Sequence, residues 1–417
     1  MTPKYGPLGF RADDRYRNIP ESRIIGMLTL AGWAHEPDSP EAASISQQAL
    51  LAWPQYGLGF RNGPGGERLF DPIEVYNFIK RLGLDGRDGF LFDRFIPNFR
   101  RSVCELAKSD GLPTNGERRF EVDFQRAFDL RSVSSGTKLR LRAPLPLAGN
   151  YLKDLQVSPY PIAGLEAKST VSPGRLELRM VASGEAEAIL GATLSFTALL
   201  QEPTPCDPGP NPDAALYLND REGLIIITDR IRHLAQSLAP DGAPAFDAIR
   251  AFWDYITGEF ICGAIHYDQV DPASPCDWIL DSGWFDCQLA AALFTALCRA
   301  RAIPARVLGG YCLYQAGPVK HYWAEAWLDD RGWTPFDFLG WDLSPHRREP
   351  EWCDRFFGRL EYRMTTERFP REFTGALGVP LPASWYVLQT PAPGGVEIAF
   401  LDSTSPPVYT DTIRITK

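Results

Sequence analysis

The chain of 417 residues is short of several features that would fix its class at once. It has no run of about eighteen apolar residues, so no helical membrane span is expected. The longest candidate, around Ala188–Leu200, is brief and broken by Thr and Ser. The opening MTPKYGPLGFRADDRYRN has no apolar stretch, so no export signal is expected and a reduced cytoplasmic setting is the default. Positive charge is in deficit: 43 Lys and Arg against 52 Asp and Glu give a net charge of −9, which disfavours general nucleic-acid binding. The eight cysteines include no CxxC pair, which removes zinc-ribbon and thioredoxin-like readings. No paired ligand spacing and no acidic EF-hand-type loop stand in the sequence, so neither zinc nor calcium is expected, nor any cofactor. There is no internal repeat and no low-complexity tract.

What is present reads as three regions. Residues 1–115 are expected to be mostly helical, from the apolar spacing of IIGMLTLAGWAH, ISQQALLAW and PIEVYNFIKRLGL, interrupted by the Pro- and Gly-rich WPQYGLGFRNGPGGE. Residues 116–203 alternate apolar with polar residues in RRFEVDFQRAFDL, TKLRLRAPLPL, GRLELRMVA and ATLSFTALLQE, which predicts an antiparallel β domain. Residues 204–417 open on the linker-like PTPCDPGPNPD. Helical spacing follows in ITDRIRHLAQSLA and AFDAIRAFWDYITGEF, then short strands in ARVLGGYCLY, HYWAEAWLDD and GWTPFDF. A helix is expected near Trp352–Tyr362, and strands at WYVLQT, VEIAFL and TIRITK.

Two cysteines, Cys287 and Cys298, share one expected helix in WFDCQLAAALFTALCRARAIPARVLGGY. Asp286 stands where an N-cap would, which puts Cys287 in the first turn. There the helix macrodipole and unsatisfied N–H groups favour a thiolate, while the Asp286 carboxylate opposes it. Cys298 lies roughly 16 Å further along the helix and has no such help, so it is expected to be core. A thiol nucleophile needs a base, and the base needs an orienting group. Of the five histidines, His321 opens HYWAEAWLDD, and Asp337 stands in GWTPFDF beyond the turn at Asp329–Gly332. Paired antiparallel strands would bring these two to comparable heights, giving a Cys-His-Asp arrangement.

The block from Cys287 to Asp337 resembles the transglutaminase-like superfamily of papain-type thiol enzymes. The carriers are ALCRARAIPARVLGGY at 296–311, HYWAEAW at 321–327 and GWTPFDF at 332–338, with YITGEFICGAIHYD upstream. The sequence departs from the family pattern at Phe285, Ala302 and Phe338, which stand where glycine, glycine and proline are usual. The resemblance implies an α+β chain, in which a papain-like core with a Cys-bearing helix packs on an antiparallel sheet bearing His and Asp. It makes Cys287 the nucleophile, His321 the base and then acid, and Asp337 the orienter. The second oxyanion donor would come from an upstream side chain, with Tyr267 the first choice and Trp253 and Gln269 behind it. Trp284, Gln288 and Trp323 would line the cleft, and Trp333 and Phe336 would be core.

The implied activity is acyl transfer through a Cys287 thioester from an amide, ester or thioester donor. The acceptor is left open between water and an amine. A catalytically silent binding or scaffold protein on the same fold is the alternative. The basic stretch from Arg94 to Arg142, with Arg100, Arg101, Arg118, Arg119, Arg126 and Arg131, raises the expectation of an acidic partner such as an acyl carrier docking on the N-terminal region.

Overall fold

The structure is a computed structural model. It describes chiefly residues 116–161, 169–201, 207–263, 270–342, 354–368 and 409–417, with strands between 386 and 401 and fragments of 53–105. Most of the helical expectation for 1–115 lies outside the described residues. Within them are a 3-10 turn at Trp53–Tyr56 and a small hairpin of Arg61–Asn62 with Arg68–Leu69.

The alternating segments form a β-sandwich. Its strands are β1 (Glu117–Asp129), β2 (Lys138–Pro144), β3 (Leu152–Pro159), β4 (Thr170–Ser172), β5 (Arg175–Val181) and β6 (Glu187–Leu199). One sheet runs from the C-terminal strand Tyr409–Ile415 through β1 and β6 to β3; the other has the order β2–β5–β4. Period-2 patterning places Phe120, Val122, Phe124 and Phe128 of β1 and Leu190, Leu194 and Phe196 of β6 in the core. The strand β3 was not expected. It is an edge strand with a mostly exposed pattern, and its register slips where Asp154 takes φ of 57°. Both features blur alternation.

The C-terminal strand pairs antiparallel with β1 from Tyr409↔Phe128 to Ile415↔Val122. The expected boundary, which gave all of 204–417 to the catalytic region, is therefore corrected: the chain returns to close the sandwich sheet. The strands Tyr386–Ala392 and Gly395–Leu401 form a separate hairpin. Of the helix expected near Trp352–Tyr362, Trp352 is helical and a 3-10 turn follows at Asp354–Phe356. Gly358 at φ 76° breaks it, and Phe357 and Leu360 form bridges to Phe336 and Gln201 instead.

The second core belongs to helices α1 (Asp229–Leu238), α2 (Ala245–Glu259), α3 (Pro275–Ser282) and α4 (Cys287–Ala300). They pack with a two-stranded parallel pair, β7 (Ile261–Cys262) and β8 (Trp284–Phe285). The main sheet has the order β11–β10–β9–β12, from β9 (Ala305–Cys312), β10 (Val319–Leu328), β11 (Gly332–Phe336) and β12 (Arg363–Arg368). Helix α4 is buried on nearly every side from Leu289 to Arg299, as a helix apolar all round should be. Strand β9 is buried throughout, and Gly310 permits the close approach of β12: a Cβ there would lie 2.1 Å from the Met364 carbonyl oxygen. Tyr311, Leu313, Tyr362 and Met364 join the sandwich core, so the two cores share a wall. Leu58 and Phe78 of the N-terminal region pack into the helical core.

Ala302 takes φ of 56° just after α4, where the Ile303 N–H returns to the Cys298 carbonyl at 2.9 Å. This left-handed position favours glycine, which explains the usual residue there; alanine costs about 1 kcal/mol.

Candidate active site

The first turn of α4 forms as the sequence indicates. The Asp286 carboxylate accepts hydrogen bonds from the Gln288 N–H at 3.0 Å and the Leu289 N–H at 2.9 Å. Cys287 is half-buried at the helix start. Its thiol meets the backbone N–H of Tyr322 on β10, one residue from His321. Burial pushes the thiol pKa well above its ordinary value, and the Asp286 and Asp337 carboxylates add to this; the Tyr322 N–H opposes it. Cys298 is fully buried and its pKa is likewise pushed up by burial, in keeping with the expected core role.

His321 and Asp337 meet across the end of the sheet. The β10–β11 register runs from Leu328↔Gly332 to Ala324↔Phe336, so Asp337 continues β11 on the face that carries Trp323 and His321. His321 Nε2 lies 2.8 Å from Asp337 Oδ2, with both residues buried. The same oxygen accepts from Arg363 Nη2 at 2.6 Å, and the Leu339 N–H donates to Oδ1 at 3.0 Å. Burial by itself would raise the Asp337 pKa. The charges and hydrogen bonds of His321 and Arg363 outweigh it and hold the carboxylate well below its ordinary range.

Arg363 is the residue that sequence reasoning missed. It sits on β12, is 1% exposed, and binds Glu361 Oε1 at 2.7 Å as well as Asp337. Tyr314 donates its hydroxyl to the same Glu361 oxygen at 2.7 Å. The guanidinium also lies 4.8 Å from the centre of the Trp323 ring. The pairing of β12 with β9 brings it to Asp337.

The other expected site residues divide. Trp323 is fully buried beneath Arg363, so its cleft-lining role is corrected to a packing one. Trp284 is 7% exposed and packs against Gly263, where a Cβ would lie 2.5 Å from its ring. Gln288 is partly exposed beside Cys287, and its Oε1 has no hydrogen-bond partner. Trp253 is fully buried and stacks on Phe338 at 4.6 Å, so it is corrected from oxyanion reserve to core. Phe338, in place of the usual proline, completes this aromatic cluster with Phe294 and Phe336. Phe336 is core as expected, whereas Trp333 is only partly buried. Tyr267 and Gln269 lie outside the described residues.

Two motif residues turn out to support the sheet. Arg306 and Glu325 are register partners on β9 and β10 and form a buried ion pair at 2.6 Å, with Arg306 3.8 Å over Trp333. They line a cavity of about 300 Å³ between the sheet and the sandwich, together with Tyr151 and Tyr217; Cys287 and His321 are not among its walls. Among the described residues no helix is long and apolar enough to cross a membrane.

Residues 232–338 match the sequence profile of the transglutaminase-like superfamily. No curated protein matches the chain. Among solved structures, a candidate cysteine protease from Cytophaga hutchinsonii is similar at 15% identity and a TM-score of 0.40, over 72% of this chain and 99% of that one. The periplasmic domain of TgpA from Pseudomonas aeruginosa is similar at 17% identity and a TM-score of 0.34, over 60% of this chain and 94% of that one.

Proposed function

We propose, from the premise that the chain belongs to the transglutaminase-like superfamily through residues 232–338, that it is a thiol acyl-transfer enzyme working through Cys287, His321 and Asp337. The observation that carries this reading is the buried 2.8 Å contact of His321 Nε2 with Asp337, on the strand whose Tyr322 N–H meets the Cys287 thiol. With Nε2 fixed by the carboxylate, proton exchange with the thiol falls to Nδ1. His321 takes the thiol proton as sulfur attacks the carbonyl carbon of an amide, ester or thioester. The tetrahedral intermediate collapses to a Cys287 thioester, and the leaving amine, alcohol or thiol receives the proton from His321. Water or an amine then attacks the thioester, with His321 again as base, and the thiol is restored.

A silent binding role on the same fold is the second reading, and the burial that pushes the Cys287 thiol pKa up favours it. Iodoacetamide labelling at pH 6 to 7, mapped by peptide mass spectrometry, separates the two. The enzyme reading expects selective modification of Cys287, slowed about tenfold or more by His321→Ala. Labelling that ignores His321, or that scatters over the other cysteines, sinks it. Water and amine acceptors would then be compared on the donors that acylate Cys287.

A further inference from the structure

A marked charge imbalance lies in the sandwich, on the outward face of the β2–β5–β4 sheet. The inward face of these strands supplies Leu139, Leu141, Leu176 and Leu178 to the core. The outward face gathers Arg140 and Arg142 from β2 with Arg175, Glu177 and Arg179 from β5, through the register Arg142↔Glu177 and Arg140↔Arg179. Glu177 meets Arg140 at 2.6 Å, Arg142 at 3.1 Å, Arg179 at 3.2 Å and Arg175 at 3.9 Å. Among the described side chains, four guanidiniums around one carboxylate leave three positive charges uncompensated, in a chain whose net charge is −9.

These groups are not fully solvated. The Arg142 side chain is 10% exposed and that of Arg140 14%. Burial lowers the pKa of Arg142, the hydrogen bond to Glu177 opposes this, and the neighbouring Arg140 and Arg175 charges lower it further, as like charges do. The Nε atoms of Arg140 and Arg175 are buried with no acceptor, so Glu177 does not saturate the cluster. Solvent still reaches it: the Arg179 side chain is 73% exposed, and Lys138 stands exposed at the start of β2.

We propose that this face binds a phosphate group, either inorganic phosphate or the monoester of a small metabolite. A phosphate dianion offers more charge and more acceptor oxygens than a carboxylate. Its oxygens suit paired guanidinium forks, and it cancels most of the surplus that Glu177 leaves. The site stands apart from the thiol chemistry and does not depend on it.

The test is calorimetric titration of the full chain with inorganic phosphate and with glycerol phosphate, at ionic strength held constant with chloride. Saturable binding is expected, at least tenfold weaker in Arg142→Gln and severalfold weaker in Arg179→Gln. The second variant changes a mostly exposed side chain, so it keeps the test open should the first fail to fold. Tighter binding of glycerol phosphate would assign the site to a monoester, and equal or weaker binding to the free ion. A heat no larger than that of added chloride, or affinity unchanged in Arg179→Gln and in folded Arg142→Gln, would overturn the proposal. Iodoacetamide labelling of Cys287 serves as the folding control and should be the same in all variants.

Discussion

Behind His321, two carboxylates share one guanidinium, whereas on the sandwich face four guanidiniums crowd one carboxylate. The first group, Asp337 and Glu361 around Arg363, carries a surplus negative charge in a site only 1–3% exposed. In the proposed mechanism an imidazolium at His321 would offset that surplus when the thiol gives up its proton. The second group carries surplus positive charge at a partly wet surface. Under the two proposals, a proton would supply the balance in the one, and an anion from outside in the other. In each place the imbalance names the missing partner, because unpaired charge away from water is costly.

The contrast is broken most severely at Arg363. Arg363→Met keeps much of the volume but leaves Asp337 and Glu361 buried without their cation, at a cost of about 3–5 kcal/mol. Urea unfolding should show this loss, and adding Glu361→Gln should recover part of it. Wild-type stability in the single variant would mean that the cluster does not need its cation.

A smaller effect is expected at Glu177. Burial pushes its pKa up, but hydrogen bonds from Arg140, Arg142 and Arg179 pull it down to about 2. A depressed folded-state pKa contributes stability above the unfolded value of roughly 4.3 and loses it as pH falls. Glu177→Gln should therefore cost about 1–3 kcal/mol near neutrality. The stability curves of variant and wild type should converge as pH drops from about 4 toward about 2. Parallel curves across that window would show that Glu177 is not the titrating group.

The smallest effect sharpens the first cluster. Tyr314→Phe removes one hydrogen bond to Glu361 and should cost about 1–2 kcal/mol, with little change in Cys287 labelling. A large loss of labelling would mean that Tyr314 does more than satisfy Glu361.

Much of the site was legible because its parts are local. Asp286 caps the helix it was expected to cap, and the turn between β10 and β11 fixes the His321–Asp337 register through a short count. The sandwich strands with strict alternation were equally plain. Less was legible where partners come from afar. Arg363 is 26 residues beyond Asp337 and looks like any arginine on a strand. The basic stretch before residue 142 reads as one patch in sequence, and its described members are scattered in space. Arg126 is buried against Asp411 at 2.6 Å, Arg131 pairs with Asp129, and Arg119 donates to Ser195. The arginines that do assemble, at 140, 142, 175 and 179, lie on two strands that only sheet pairing brings together.

The sequence by itself determined the elements whose information is short-range: the capped start of α4, the period-2 strands, and the spacing that sets histidine and aspartate on one sheet face. Only the tertiary structure decided which charges confront one another. It returned the C-terminal strand to β1, slid Arg363 under His321 and Asp337, and gathered four arginines about Glu177. Periodicity and capping act through neighbours along the chain, whereas electrostatic balance depends on distances through space that the fold alone fixes.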